Sequence, residues 1–351
     1  MKNYPVTEKI LSSVNITGSR IIRFPNLIFL CGGKTEGEDK ASSSSWAFAN
    51  SLISLFRDKI ERKARNHPSR RAFFFNHLKS TNSILSPRVL LAEPVYKAID
   101  RSVYKDLLTF ENDFASLCAL TVVFAESPGS LAELGSFAVS KNIQDKLLVI
   151  MDKKDSEPKD GSFIWDGPIT YLRDRKCNVL RDPCLVYPWD KDETDNIRFD
   201  KSNDVAIHLE RFIGDEIAKA PKQRNFKPDD DGHIMLLITD LLGKVVVATL
   251  DELIWLLKNL GLKLPELDRK RMRQFLNILQ SVGFITHYDF GTKYYCSNMT
   301  ESFLQLSFHK TAIMQSSDMW MPEYLENYKD SDVPRFNVWK KHFNKVLKGK
   351  T

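Results

Sequence analysis

The stretch at residues 119–137, Ala-Leu-Thr-Val-Val-Phe-Ala-Glu-Ser-Pro-Gly-Ser-Leu-Ala-Glu-Leu-Gly-Ser-Phe, constrains the fold more than any other. It opens on an unbroken apolar run, Leu120 to Ala125, rich in β-branched and aromatic residues. Such a run reads as a strand buried on both faces, as in a parallel sheet. Glu126-Ser127-Pro128-Gly129 breaks it. Ser130 is a good N-cap for a helix starting at Leu131, which puts Glu133 in the first turn. A strand, a tight turn and a helix N-terminus make an anion site, because the free N–H groups of the turn point at the ligand. Gly135 follows Glu133 and allows close approach. A carboxylate beside such a turn points to sugar-phosphate or nucleotide chemistry. The alternative is that Glu133 merely complements the helix dipole.

The flanking pattern extends this strand into a sheet. Residues 26–33 are a short apolar strand ending in Gly32-Gly33, the form of a first βα turn in a nucleotide-binding α/β fold. A polar loop, 34–45, and a helix-spaced segment, 46–63, follow. Ala72-Phe-Phe-Phe75 reads as a second strand, with Asn76 and His77 at its C-terminal end. Residues 107–118 read as an apolar-faced helix with the polar cluster Glu111, Asn112 and Asp113. Residues 146–151 give a fourth strand, and Cys177 to Leu180 a fifth, at the edge. Strands alternating with helices imply α/β architecture with a doubly wound parallel sheet.

The segment 57–71 is strongly basic, through Arg57, Lys59, Arg62, Lys63 and Arg65 among others. It reads either as a phosphate-backbone contact or as a solvated helix end.

A linker is expected at 221–232, and the pattern then changes. Helices are expected at 234–242, at 249–261 with a capping box from Thr249 and Glu252, and at 268–282 with Arg269, Lys270, Arg271 and Arg273. Residues 284–296 form a hairpin turning near Gly291-Thr292. Three helices and a hairpin are the winged-helix arrangement, whose third helix commonly enters a nucleic-acid groove and which serves equally in protein docking. The aromatic and basic tail, 301–351, suggests docking to a partner. The expected division is thus 1–220 catalytic, 221–232 linker, 233–300 winged helix and 301–351 docking tail.

At 351 residues with 42% hydrophobic content, the chain is long enough for this division. A net charge of +6 permits a nucleic-acid partner without demanding one. No apolar run approaches the roughly 18 residues of a membrane span, and residues 1–12 lack a signal-peptide core. The cysteines, Cys31, Cys118, Cys177, Cys184 and Cys296, contain no C-x-x-C pair. Reduced thiols in a cytoplasmic protein are expected, with no metal site.

Residues 30–33, 107–112 and 124–137 together resemble the motifs of retron-associated effector proteins. These combine a nucleoside deoxyribosyltransferase-like domain, of the flavodoxin/Rossmann-like type, with a C-terminal winged-helix domain. The resemblance implies a toxin of an anti-phage system acting by abortive infection. It is held by a reverse transcriptase and multicopy single-stranded DNA (msDNA) in a higher-order complex, with no membrane. It also implies cleavage of an N-glycosidic bond, with NAD+ as substrate and no cofactor. Glu133 matches the catalytic glutamate. Ser127, Gly129 and Ser130 match the ligand-binding turn, and Gly32 and Gly33 the first-strand turn. Cys31 and Glu111 stand in the same motifs and join the substrate-binding set. Arg57, Lys59, Arg62, Lys63 and Arg65, with Arg269, Lys270 and Arg273, are the expected nucleic-acid or partner contacts. Two alternatives stay open: a nucleoside or nucleotide N-glycosidase or deoxyribosyltransferase, and a non-catalytic DNA-binding nucleotide sensor.

Overall fold

The computed structural model describes residues 8–33, 69–91, 93–94, 102–152, 155, 157, 161–174, 185–189, 199–221, 223–262, 268–310, 312 and 316–348. Arg57, Lys59, Arg62, Lys63 and Arg65, the loop and helix expected at 34–63, and the strand expected at 177–180 lie outside the described residues. The chain divides into two compact units, one of Pro25–Ala98 and Asp106–Ala220, the other of Met1–Phe24, Ile99–Lys105 and Pro221–Thr351.

Strand β1 (Val14–Ile21) belongs to the second of these units. In the first, β2 (Ile28–Cys31), β3 (Val89–Leu91), β4 (Leu120–Phe124), β5 (Leu147–Asp152) and β6 (Leu185–Trp189) form one sheet. Their order is β3-β2-β4-β5-β6 and every pairing is parallel. Numbered within this unit the order is 2-1-3-4-5, the flavodoxin-type doubly wound order. Pro188, which cannot donate to a ladder, lies on β6, the outermost strand among the described residues, where that loss is tolerated.

The period of two along each strand sorts its residues between faces. Ile28 and Leu30 of β2 and Leu120, Val122 and Phe124 of β4 pack with Phe73, Phe74 and Leu78 and with Ala206, Leu209 and Ile213. The latter two groups come from α2 (Arg70–Ser80) and α6 (Phe199–Ala218). Phe29 points the other way and meets Phe114 and Phe137, with ring centroids 5.1 Å and 6.1 Å away. Those rings belong to α3 (Leu107–Ser116) and α4 (Pro128–Val139). Between α4 and α6 lies the short α5 (Thr170–Asp174).

Two local expectations are corrected. Ala72-Phe-Phe-Phe75 is helix, not strand, and Asn76 and His77 lie within α2. A short apolar run suits a buried strand or a buried helix, and its flanks decide. Here Ser69 caps the helix, its Oγ accepting from the Ala72 N–H at 3.0 Å. Buried His77 pairs with Glu210 of α6 at 3.0 Å, stapling the two helices. The second correction is the start of α4. Its N-cap is Ser127, with Pro128 at the first helical position and Ser130 completing a capping box. Glu133 therefore stands in the second turn, beyond the reach of the dipole argument.

Glu126 fixes where β2 ends. Its Oε1 accepts from the N–H groups of Gly33 and Arg71, both at 3.2 Å, and its Oε2 from the N–H of Arg70 at 2.9 Å. One carboxylate thus caps α2 and ties it to the strand turn. The approach is close: a Cβ on Gly32 (φ +147°) would lie 2.7 Å from Phe124 Cβ, and one on Gly33 2.8 Å from Ser69 Cβ. The double glycine is required by packing between chain segments.

The second unit contains α1 (Glu8–Leu11) and an antiparallel sheet of order β10-β1-β7, where β7 is Arg224–Asn225 and β10 is Leu304–Phe308. Residues 14–21 and residues 304–308 of the tail supply strands that pair with each other, with Ile21 opposite Leu304. Helices α7 (Asp231–Val245), α8 (Leu250–Asn259) and α9 (Arg269–Ser281) precede a hairpin of β8 (Ile285–Asp289) and β9 (Lys293–Ser297). Thr249 and Glu252 form the expected capping box. Helices α10 (Trp320–Ser331) and α11 (Val333–Lys348) follow β10. Tyr328 of α10 shares its hydroxyl proton between the carbonyls of Val245 and Val247, at 3.0 and 2.9 Å. It thereby braces Val246, whose φ of +72° is unusual for a β-branched residue.

Replacing Glu126 leaves three backbone donors without their charged acceptor. Glu126→Ala should lower stability by about 2–4 kcal/mol, read by urea denaturation. Glu126→Gln should fall between, since it keeps one acceptor oxygen but turns an amide donor toward an N–H.

Candidate active site

In an open parallel sheet, ligands bind outside the carboxyl ends of the strands, where the strand order reverses. Here that point lies between β2 and β4, at Cys31-Gly32-Gly33 and at Ala125-Glu126-Ser127. Period-two alternation sends Cys31 to the same face as Phe29, toward α3 and α4. Those helices supply Glu111 and Glu133, and Asn112 ties them together by donating to Ser136 Oγ at 3.1 Å.

Three carboxylates and one guanidinium act on each other here. Arg71 is 2% exposed, and its Nε donates to the Gly33 carbonyl at 2.7 Å. Its Nη1 reaches the Leu30 carbonyl at 3.4 Å, and its Nη2 pairs with Glu93. Burial pushes the Glu111 carboxyl up to about 8, helped by the charges of Glu133 and Glu93 and opposed by Arg71. Burial also raises Glu133 to about 7, with Arg71 pulling down and Glu93 pushing up. Cys31 is raised well above the ordinary thiol value, first by burial and then by Glu133 and Glu111, so it stays a thiol. Near neutrality the two helix carboxyls differ: Glu111 holds its proton and Glu133 is close to half ionised. Environments that hold two carboxyls in different protonation states are how acid and base roles are divided. Glu133 Oε2 and Glu93 Oε2 are buried and lack a hydrogen-bond partner among the described residues. Such groups call for a reason, and an awaited ligand is one.

The turn at 126–130 uses part of its hydrogen-bonding capacity to cap α4. The N–H groups of Glu126 and Ser127 donate to Ser130 Oγ at 3.1 and 3.0 Å, and the Ser130 N–H donates to Ser127 Oγ at 3.2 Å. Ser130 is buried, Ser127 half-buried and Gly129 exposed. The amides of Glu126, Ser127 and Ser130 thus serve the capping box, which does not engage the Gly129 N–H.

Cys31, Gly32, Gly33, Glu111, Ser127, Gly129, Ser130 and Glu133 thus gather around one switch point. Arg269, Lys270 and Arg273 are exposed on α9 in the other unit, and Arg269 pairs with Asp251 at 2.5 Å. Reading the sequence missed Arg71, Glu93 and Glu126. Glu126 had a signal, being a carboxylate at the end of the central strand. Arg71 was hidden in a basic segment read as a whole, and Glu93 follows a stretch without a clear pattern. Among the described residues no group of His, Cys, Asp and Glu is arranged to hold a metal, and no helix is long and apolar enough to cross a membrane.

The parallel-sheet switch point and its carboxylates define an α/β protein with a candidate small-molecule site. The chain belongs to the family described as STM3845 retron effector protein, which matches residues 67–287. It is similar to the Escherichia coli "Retron Ec86 putative ribosyltransferase/DNA-binding protein", with 42% identity over 67 residues, 19% of this chain and 21% of that protein. It is also similar to the Escherichia coli "Retron Ec73 putative ribosyltransferase/DNA-binding protein", with 38% identity over 82 residues, 22% of this chain and 25% of that one. The matched segments span about a fifth to a quarter of these relatives.

The raised carboxyls imply a definite pH signature. A carboxyl whose folded value lies above its ordinary 4.5 binds more protons folded than unfolded, so stability falls as pH rises from 4.5 through 7–8. Glu111→Gln should therefore be more stable than wild type at alkaline pH, by on the order of 2–4 kcal/mol. The difference should close below pH 5. Half-buried Glu133→Gln should show the same sign with a smaller gain. Urea midpoints across the pH range measure both.

Proposed function

We propose that this retron effector is an N-glycosidase that cleaves the nicotinamide–ribose bond of NAD+. The reading is carried by Glu133: a carboxyl at the switch point of the sheet, raised to about 7 by burial, with a buried and unpartnered oxygen. The ribosyltransferase names of the two relatives support chemistry at a ribosyl carbon.

The bond between ribose C1′ and the pyridinium nitrogen breaks, and its electron pair goes to that nitrogen, leaving neutral nicotinamide. C1′ acquires oxocarbenium character, as in glycoside hydrolysis. The ionised Glu133 either bonds to C1′ or stabilises its charge. Water then completes the reaction, giving ADP-ribose and a proton. The leaving group departs uncharged, so no strong acid is needed. Protonated Glu111 is free to donate a hydrogen bond to bound substrate. Cys31, Gly32, Gly33, Ser127, Gly129 and Ser130 line the same switch point, and NAD+ enters as substrate with no cofactor.

The first unit is read as nucleoside deoxyribosyltransferase-like. The three helices and hairpin of the second are read as a winged helix, with Arg269, Lys270 and Arg273 facing a partner. Loss of NAD+ would kill the host cell, which makes the chain a cytoplasmic toxin of abortive infection, held inactive by a reverse transcriptase and msDNA in a higher-order complex. Arg57, Lys59, Arg62, Lys63 and Arg65 are further contacts for that DNA. Restraint requires the partner to bind the inactive state more tightly than the active one.

Glu133→Gln keeps the shape and removes the charge. It should reduce NAD+ cleavage by at least about a thousandfold and abolish toxicity at equal expression. Wild-type turnover should rise with pH through about 7 as Glu133 ionises. Mass spectrometry of nucleotide pools after expression of the chain alone reads the outcome. Depletion of nucleosides or nucleotides with NAD+ intact would favour a nucleotide glycosidase or deoxyribosyltransferase. No turnover together with sequence-specific duplex binding would favour a sensor.

A further inference from the structure

Helix α11 carries an aromatic ladder on its surface. Phe336, Trp339 and Phe343 follow at i, i+3 and i+7, on one stripe. The rings of Phe336 and Trp339 are 5.4 Å apart at 33°, and those of Trp339 and Phe343 are 5.4 Å apart at 28°. A core stripe would be covered, yet Phe343 is 46% exposed. Lys340 Nζ lies 5.4 Å over the Phe336 ring. Beside the ladder stands the β8–β9 hairpin, whose tip residue Phe290 is 53% exposed. Lys341 bridges helix and hairpin, with Nζ 5.5 Å from the ring centres of both Tyr288 and Phe290. Buried His342 fixes the register, through Nδ1 to the Tyr288 hydroxyl at 3.2 Å and Nε2 to the Ser297 carbonyl at 2.8 Å. Along α11 the sequence has Arg335, Lys340, Lys341, Lys345 and Lys348 and neither Asp nor Glu.

We infer that this aromatic–lysine face, formed by α11 and the hairpin tip, binds single-stranded DNA. Phe343 and Phe290 are exposed and Trp339 is half-buried, and flat rings beside point cations are what unpaired bases and a phosphate backbone need: bases stack on the rings and phosphates lie against the lysines. Phe343, Trp339 and Phe290 provide the rings, and Lys340, Lys341 and Lys345 the charges. A duplex cannot use the ladder, because its bases already stack on each other. A protein-docking face would be depleted of lysine at its centre. Stacking and phosphate contacts serve either nucleic acid, and the DNA-binding names of the two relatives favour DNA over RNA. The inference rests on the nucleic-acid role proposed for the second unit, and it assigns a surface other than α9.

The test uses the full chain and a fluorescein-labelled oligothymidylate of about 20 nucleotides, with anisotropy read over a range of salt. The duplex and the oligouridylate of equal length are separate arms. The expected result is tightest binding to the single-stranded DNA, with quenching of Trp339 emission. Phe343→Ala and Trp339→Ala should each weaken it about 5- to 100-fold. Lys341→Gln should weaken it less and reduce the salt slope by about 0.7. Phe343 and Lys341 are exposed, so their variants keep the test meaningful if Trp339→Ala fails to fold. Wild-type binding with unchanged affinity in the Phe343 and Lys341 variants would overturn this face while leaving the nucleic-acid role standing. Absence of any binding by wild type would overturn both. Equal or tighter binding of duplex or RNA would overturn the choice of single-stranded DNA. Self-association lost in Phe343→Ala, with DNA binding intact, would make the face an interface between copies.

Discussion

The buried guanidinium of Arg71 is the interaction on which the candidate site depends. Carboxylates repel each other, and burial raises the cost of ionising any of them. Glu93, Glu111 and Glu133 nevertheless act on each other at one end of one sheet. Arg71 makes this tolerable because it is itself tied to the carbonyls of Gly33 and Leu30 and to Glu93. Its charge lowers both Glu111 and Glu133, and burial still wins at each. The result is a site that holds one proton firmly and another loosely near neutral pH. That is a state suited to chemistry and costly to stability, the usual trade at a functional site.

Arg71 keeps its place because α2 keeps its place. Glu126 caps that helix with both carboxylate oxygens, and its Oε1 also holds the Gly33 N–H. Arg70, the neighbour in sequence, reaches Asp152 at the end of β5, at 2.5 Å. The carboxyl ends of β2, β4 and β5 are thus joined through the first turn of one helix. The capping box of α4 engages the amides of Glu126, Ser127 and Ser130.

The second unit is organised differently. Its segments are far apart in sequence and are joined by buried polar contacts. The Asp240 carboxylate accepts from the N–H groups of Phe303 and Leu304, at 2.9 and 2.7 Å, tying α7 to β10. Burial nonetheless pushes its carboxyl up to about 6. Arg335 of α11 pairs with Glu252 at the start of α8, at 2.5 Å. These contacts fold the tail back onto its own unit and leave Phe343, the last ring of the α11 ladder, exposed.

Patterns within a few residues of each other were legible in the amino-acid order. The apolar run 120–124 had to be a buried strand, and the helix 107–116 followed from its apolar spacing. Thr249 and Glu252 marked their capping box at a spacing of three. The serines at 127 and 130 show the limit of this reading: either could cap, and Pro128 at the first helical position favours the earlier one. For Ala72–Phe75, an apolar run too short to show a period, tertiary structure decided. The Glu126 carboxylate, more than fifty residues away, offers the acceptor that a helix N-terminus needs. The coupling of Glu93, Glu111 and Glu133 through Arg71 was likewise invisible, and so was the pairing of β1 with β10. Local patterning reports which face of an element is apolar, because that depends on near neighbours. Which charges meet, and how burial moves their protons, depends on segments that only the folded chain brings together.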